Sequence, residues 1–352
     1  MEYTPILRLK PVELKILEKM QLAGMFPLLE IVDQKTFKNI DTVKKRFKEI
    51  MIELPRHLMY GNNKHSGGIM SIFLSFGGND LSSLQTEFYT KNKANIDIPV
   101  VSPIRSDPGL APNYKELVDG LKSIKKDFSK VAVRIFINPI DISETNIQSL
   151  KDLSAELRKD DIILFDVINF DGVESYILKN LDKIVNIIGK SEAKRIILLN
   201  AFDSDGDWSK DPHHYAPLIA KHFGFSGIGD FATIPRLESI GGSGTTTSVI
   251  RFFSPWDLQL LNFKSNSFKR AKQDLIKSPI WEKSIDTGHF DSCPYCQEAK
   301  KNDTEWKTFW KFFRIQHHIK SMIDDVIPSM EKFKSVEDFD MVGCDKLFKK
   351  AG

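Results

Sequence analysis

A chain of 352 residues with 50 Lys and Arg against 47 Asp and Glu carries a formal charge of +3. That balance lacks the clustered basic excess of a nucleic-acid-binding domain, so nucleic acid is not expected as a direct partner. No run of about 18 apolar residues is present to span a bilayer, no basic-then-apolar leader opens the sequence, and three cysteines are too few for a disulfide framework, so a cytoplasmic protein without a membrane partner is expected.

Hydrophobic residues make up 41% of the chain, enough for a large core. Short apolar runs alternate with stretches of helical period, which is the pattern of βα units around a parallel sheet. In chain order the predicted strands are Thr4 to Arg8, Phe26 to Ile31, Ile69 to Leu74, Ile98 to Ser102, Val131 to Ile137, Asp161 to Asp166, Arg195 to Asn200 and Phe225 to Asp230. Helices are predicted between them at Pro11 to Met20, Thr42 to Glu53, Leu81 to Thr90, Asn113 to Asp127, Ile147 to Arg158, Ser175 to Gly189 and His213 to Phe223. No Gly-x-Gly-x-x-Gly turn follows the first strand, which argues against a dinucleotide-binding sheet. The reading is α/β: a (β/α)8 TIM-like barrel over residues 1–240.

Beyond Asp230 the rhythm changes. Gly241 to Ser248 reads as a loop, and Ser248 to Phe253 with Gln259 to Phe263 reads as a β-hairpin turning at Ser254-Pro255-Trp256-Asp257. Helices are predicted at Phe268 to Lys277 and Thr304 to Val326, with a weaker segment from Val336. Residues 241–352 are therefore a hairpin plus helical extension packed on the barrel. Trp306, Phe309, Trp310, Phe312, Phe313 and Ile319 form an aromatic stripe, expected to pack the appendage, with a partner groove as the alternative.

Five segments resemble the beta protein family, known from phages and from bacterial gene clusters linked to phage defence. They are Tyr3 to Glu13, Phe26-Pro27-Leu28-Leu29-Glu30, Gly229-Asp230-Phe231, Ile250-Arg251-Phe252, and Trp310 with His317-His318. Gln316 stands where relatives usually carry Asn, and the loop with Cys293 and Cys296 is not a general family feature. The resemblance implies a barrel and a role in phage–host conflict, through recognition of a protein partner from a defence or phage system. It supplies no reaction.

Barrels place their reactive groups where the strands end. Those positions here are Lys10, Glu30 with Asp33, Arg105 with Asp107, Asn138, Asp166 with Asn169, Asn200 with Asp203, and Asp230. In the alternative reading, a metal-dependent phosphoesterase or nucleotide-processing hydrolase, Glu30, Asp166 and Asp230 would be the catalytic acids, with Mg at the mouth. Lys10, Arg105, Asn138 and Asn200 would bind the ligand, a nucleotide or phosphate. Against this, Asp and Asn also end strands merely to cap the next helix. Arg134 lies inside a predicted strand, where a buried ion pair is at least as good a reading as a substrate contact. Asp203 to Asp207 looks like a Ca²⁺ loop but lacks the closing Glu.

The most localised chemical signal is Cys293-Pro294-Tyr295-Cys296 after His289, with His317-His318 downstream. Two thiolates on a turn with two imidazoles make a tetrahedral zinc site, and the expected ligands are Cys293, Cys296, His289 and His317. Adjacent helical residues diverge by about 100°, so His317 and His318 do not serve one ion together. Cys-Pro-Tyr-Cys also looks like a glutaredoxin motif, which needs a thioredoxin-type sheet. Reduced thiols beside an ordinary His pair are the remaining alternative.

Overall fold

The computed structural model describes residues 1–20, 23–59, 65–75, 83–104, 113–137, 142–167, 175–200, 214–233 and 247–332. Eight parallel strands close into a barrel in sequence order: β1 (Glu2–Arg8), β2 (Leu28–Glu30), β3 (Met51–Glu53), β4 (Ile98–Val101), β5 (Ala132–Phe136), β6 (Ile162–Asp166), β7 (Arg195–Asn200) and β8 (Gly227–Asp230). β8 returns to β1 with Tyr3 opposite Ile228 and Pro5 opposite Asp230. The strands are mostly apolar and, apart from Glu2, Arg195 and Ile196, buried on both faces, as expected where helices cover a parallel sheet. Among the described residues no helix is long and apolar enough to cross a membrane.

The third strand differs from expectation. Ile69 to Leu74 lies in a helix, Ser66–Ser75, while β3 falls at the end of the stretch predicted helical from Thr42. In the helix Ile69 and Ile72 are buried three residues apart, whereas Met70 and Leu74 are 40% and 65% exposed, a one-sided helical burial. Pro55 follows the short run Ile50 to Leu54 and stops a helix from continuing through it. The predicted helix shrinks to Ile40–Lys44.

After the barrel, β9 (Ser248–Ser254) and β10 (Gln259–Ser265) form an antiparallel hairpin. Helices Phe268–Ile276, Pro279–Asp286, His289–Ser292, Pro294–Lys301 and Lys307–Ser321 follow, then a π-helical stretch Met322–Val326 and Ile327–Lys332. The cysteine segment is thus helical rather than a loop. The segment from Val336 lies outside the described residues.

Alternation along β9 divides this appendage between two cores. Phe253 joins the barrel core with Ile315, Ile319 and Met322. Phe252 joins a second core with Phe268, Leu275, Trp281, Cys293, Cys296, Trp310 and Phe313. The helix Lys307–Ser321 lies between them and supplies side chains to both.

Candidate functional site

Register decides which strand-end groups can meet. Arg8 pairs with Glu30, and Glu30 with Glu53, so these three share one face across β1, β2 and β3. Asp166 aligns with Leu199, Leu199 with Gly229 and Gly229 with Thr4, four residues from Arg8 and of the same parity. Asp166 therefore shares the face of Arg8 and Glu30. Asp230 aligns instead with Asn200 and Pro5 and points to the opposite face. The three expected acids do not converge: side chains alternate along a strand, and Asp230 is out of phase with the other two.

On the shared face a buried charge network forms around Arg134. Its Nε donates to Asp166 Oδ2 at 2.8 Å, and its Nη1 donates to Glu53 Oε2 at 2.5 Å and Glu30 Oε1 at 3.2 Å. Arg8 Nε donates to the other Glu30 oxygen at 3.3 Å. All five groups are buried. Burial and the neighbouring Glu30 raise the Glu53 carboxyl against the pull of Arg134. Phe231 covers the network, its ring centroid 5.6 Å from the Arg8 guanidinium and 5.9 Å from that of Arg134. Gly229 is required beneath it, because a Cβ there would stand 2.4 Å from the Thr4 carbonyl oxygen. Glu53, at the misassigned strand, was missed from sequence; the stop at Pro55 was the signal that would have found it.

Asp230 builds a second buried cluster on the other face. Its carboxylate accepts from Tyr3 Oη at 2.8 Å and from the backbone N–H of Ala232 at 2.6 Å. His214 Nε2 lies 2.8 Å and His318 Nε2 3.0 Å from it. Burial alone would raise this carboxyl, but His318 and His214 outweigh the cost and hold it well below the usual carboxylate range.

Of the remaining predicted groups, Lys10 is half-buried with its Nζ 3.2 Å from His65 Nε2. Asn200 is buried at the end of β7, on the face of Asp230. Asp33 caps the helix Gln34–Phe37, accepting from the Lys35 N–H, which is the capping role rather than the catalytic one. Arg105, Asp107, Asn138, Asn169 and the Asp203 to Asp207 loop lie outside the described residues.

His289, Cys293, Cys296 and His317 come together in the second core. One ligand atom from each lies within 4.8 Å of all the others, and all four residues are buried. Cys296 Sγ stands 3.4 Å from His317 Nδ1 and 3.9 Å from His289 Nε2, and Cys293 Sγ stands 3.7 Å from His317 Nδ1. Zinc bonds of roughly 2.3 Å to sulfur and 2.05 Å to nitrogen give a tetrahedral S···N edge of about 3.6 Å, which these distances straddle.

The outward nitrogens are also engaged. His289 Nδ1 donates to Asp325 Oδ2 at 2.8 Å, and His317 Nε2 donates to the Phe253 carbonyl at 2.9 Å. Each ring thus turns its other nitrogen toward the sulfurs, the orientation found in metal sites where a carboxylate or carbonyl fixes the imidazole. His317 is stacked between Phe252 and Phe313, at 4.4 and 5.5 Å between ring centroids. The Cys296 thiol donates to Cys293 and holds it far below the usual thiol range, aided by His289 and His317 against burial. Burial works to lower His289, but its bond to Asp325 and the neighbouring Cys293 push it up to about 9. Cys293 directly precedes the helix Pro294–Lys301, but among the described residues the sheet that accompanies it is a two-stranded hairpin rather than the thioredoxin-type sheet that the redox reading requires.

Fold and site together define a closed (β/α)8 barrel whose C-terminal module gathers a buried Cys2His2 cluster. The beta protein family model matches residues 3–208, and the chain belongs to that family. The match spans β1 to β7; the segments around Asp230, Arg251 and His317-His318 lie beyond it. Among curated proteins no match is found. Among solved structures, active domain 2 of a thermostable chitinase from Pyrococcus furiosus, in catalytic-site mutants with chito-oligosaccharides, is similar with a TM-score of 0.39 and 11% identity. That likeness covers 65% of this chain and 82% of the chitinase chain.

Proposed function

We propose that this chain is a recognition protein of phage–host conflict, a barrel scaffold whose C-terminal module is stapled by a structural zinc ion. The observation that carries the metal reading is the cluster of four buried ligand atoms within 4.8 Å of one another. Two thiolates and two imidazoles suit zinc, and four protein ligands leave no open position for water, the mark of a structural rather than catalytic site. The ion would be held by Cys293, Cys296, His317 through Nδ1 and His289 through Nε2.

The recognition reading is supported by the internal pairing of the strand-end acids. Glu30, Glu53 and Asp166 are matched by Arg8 and Arg134 inside the barrel, and Asp230 is taken up by two histidines and a tyrosine on the other face. Carboxylates already engaged by guanidinium groups are poor ligands for Mg²⁺, which favours a scaffold over hydrolysis. The phage–host setting and a protein partner from a defence or phage system rest on family resemblance.

Elemental analysis of the purified protein tests the metal, with one zinc per chain expected and none overturning the reading. Co-purification from phage-infected cells, with mass spectrometry of bound proteins and nucleotides, tests recognition. Specific enrichment of one protein is the expected result. Phosphoester turnover that disappears in Glu30→Ala and Asp166→Ala variants would replace recognition with catalysis.

A further inference from the structure

His317 and His318 are neighbours in sequence, yet they serve different clusters. His317 Nδ1 faces Cys296 Sγ at 3.4 Å, while His318 Nε2 reaches both oxygens of Asp230 at 3.0 Å. Consecutive residues on a helix are rigidly offset by about 100°, so a slide or rotation that displaces one ring displaces the other. The hairpin repeats the division: the Phe252 ring stacks on His317, and the Phe253 ring meets His318 edge-on at 4.5 Å.

Asp230 ends β8 immediately before an unusual turn. Ala232 and Thr233 both have left-handed backbones, with φ of 46° and 69°. A β-branched residue there is strained and persists only when its surroundings hold it. Two clamps do so. Asp230 accepts from the Ala232 N–H at 2.6 Å, and Arg251 Nη1 on β9 donates to the Thr233 carbonyl at 2.8 Å. Asp230 is in turn gripped by His318, and β9 is tied to the Cys2His2 cluster through the Phe253 carbonyl. Both clamps therefore lead back to the four-ligand cluster.

We propose that an ion in the Cys2His2 cluster acts as a remote latch, fixing the helix Lys307–Ser321 on the hairpin and thereby holding the strained turn Ala232-Thr233 at the C-terminal end of β8. The inference rests on the metal reading above. His318 is a positioning residue in this scheme, transmitting the placement of His317 to Asp230. The barrel ladder contains no residue of the module, since β8 closes directly on β1. Loss of the ion is thus expected to free the turn without opening the sheet.

The test compares hydrogen exchange of the full-length zinc-loaded protein before and after chelation. Exchange in residues 230–233 is expected to quicken by about tenfold or more on metal removal, while β6 stays protected, as for a local opening. His318→Phe is expected to retain the metal and, loaded with cobalt, the wild-type ligand-field spectrum, yet to show fast exchange at the turn with or without metal. His318→Gln, whose amide can still donate to Asp230, is expected to restore the metal dependence. Metal that binds and leaves with no change at the turn overturns the latch and leaves the metal reading standing. Simultaneous exposure of all barrel strands on chelation also overturns it, and absence of bound metal overturns both. If His318→Phe does not fold, the wild-type comparison still decides.

Discussion

Arg134 on β5 donates through Nε to Asp166, the last residue of the next strand, at 2.8 Å, and its Nη2 stands 2.6 Å from the same carboxylate oxygen as an ion pair. The same guanidinium reaches Glu30 and Glu53 across the barrel, so one cation joins β2, β3, β5 and β6. A buried ion network is weak evidence of net stabilisation, because each charge must leave water. Removing its centre is another matter.

Arg134→Met is expected to destabilise the fold by about 3–5 kcal/mol, since it leaves buried carboxylates without their cation. Arg134→Lys should recover little of this, because a single ammonium cannot serve three carboxylates in the fixed geometry of a guanidinium fork. Urea unfolding followed by circular dichroism measures both. A lysine variant with the wild-type midpoint would show that charge alone suffices.

The two buried carboxyls Glu53 and Asp230 are shifted in opposite directions and should leave opposite marks on the pH profile. Asp230 is held low, so its stabilisation is present above the ordinary Asp value of about 3.9 and is lost as pH falls below it. Glu53 is raised by burial, so the folded chain holds its proton longer and stability declines as pH rises from the ordinary Glu value of about 4.3 through the raised one. Asp230→Asn is expected to flatten the acid limb of a plot of Tm against pH. Glu53→Gln should leave that limb in place and reduce the decline on its neutral side. Identical profiles for the two variants would contradict the assignment.

The barrel was legible because buried parallel strands announce themselves as apolar runs bounded by polar helices. The exception shows the limit of that signal. Three residues, Met51 to Glu53, make a strand too short to stand out, while the longer run Ile69 to Leu74 is a helix that leaves Met70 and Leu74 in solvent. The wrong facing of Asp230 has a different origin. A strand end gives the position of a side chain along the barrel axis, but only the register with Pro5 and Asn200 gives its face. The Cys2His2 cluster was readable because Cys-x-x-Cys is local and adjacency allowed only one of His317 and His318. Nothing in the sequence marked Asp325 or the Phe253 carbonyl, since both reach the rings through tertiary packing alone.

Asp325 is therefore the informative test of the metal site. Asp325→Ala keeps all four ligands but removes the carboxylate that orients His289, and zinc affinity is expected to fall about 10–100-fold. Cys296→Ser removes a ligand and should abolish stoichiometric binding altogether. Competition with a chromophoric chelator at fixed pH separates the two. Equal affinity in Asp325→Ala and wild type would mean that the cluster does not bind through His289 Nε2.

The aromatic stripe offers a paired comparison of packing against surface. Trp310 is 2% exposed, stacks on Phe268 at 6.1 Å, meets Phe313 edge-on, and donates its indole N–H to the Thr304 carbonyl at 3.0 Å. Trp306, four residues earlier, is 78% exposed. Trp310→Ala is expected to cost about 3–5 kcal/mol through lost burial and the cavity left in the second core. Trp306→Ala should fall within about 0.5 kcal/mol of wild type, as for an ordinary surface position. Because the second core also contains Cys293 and Cys296, Trp310→Ala should loosen the metal as well, which chelator competition would register as weaker binding alongside the lower Tm. A large loss from Trp306→Ala with little from Trp310→Ala would mean that the stripe is anchored by Trp306 at the helix N-cap instead.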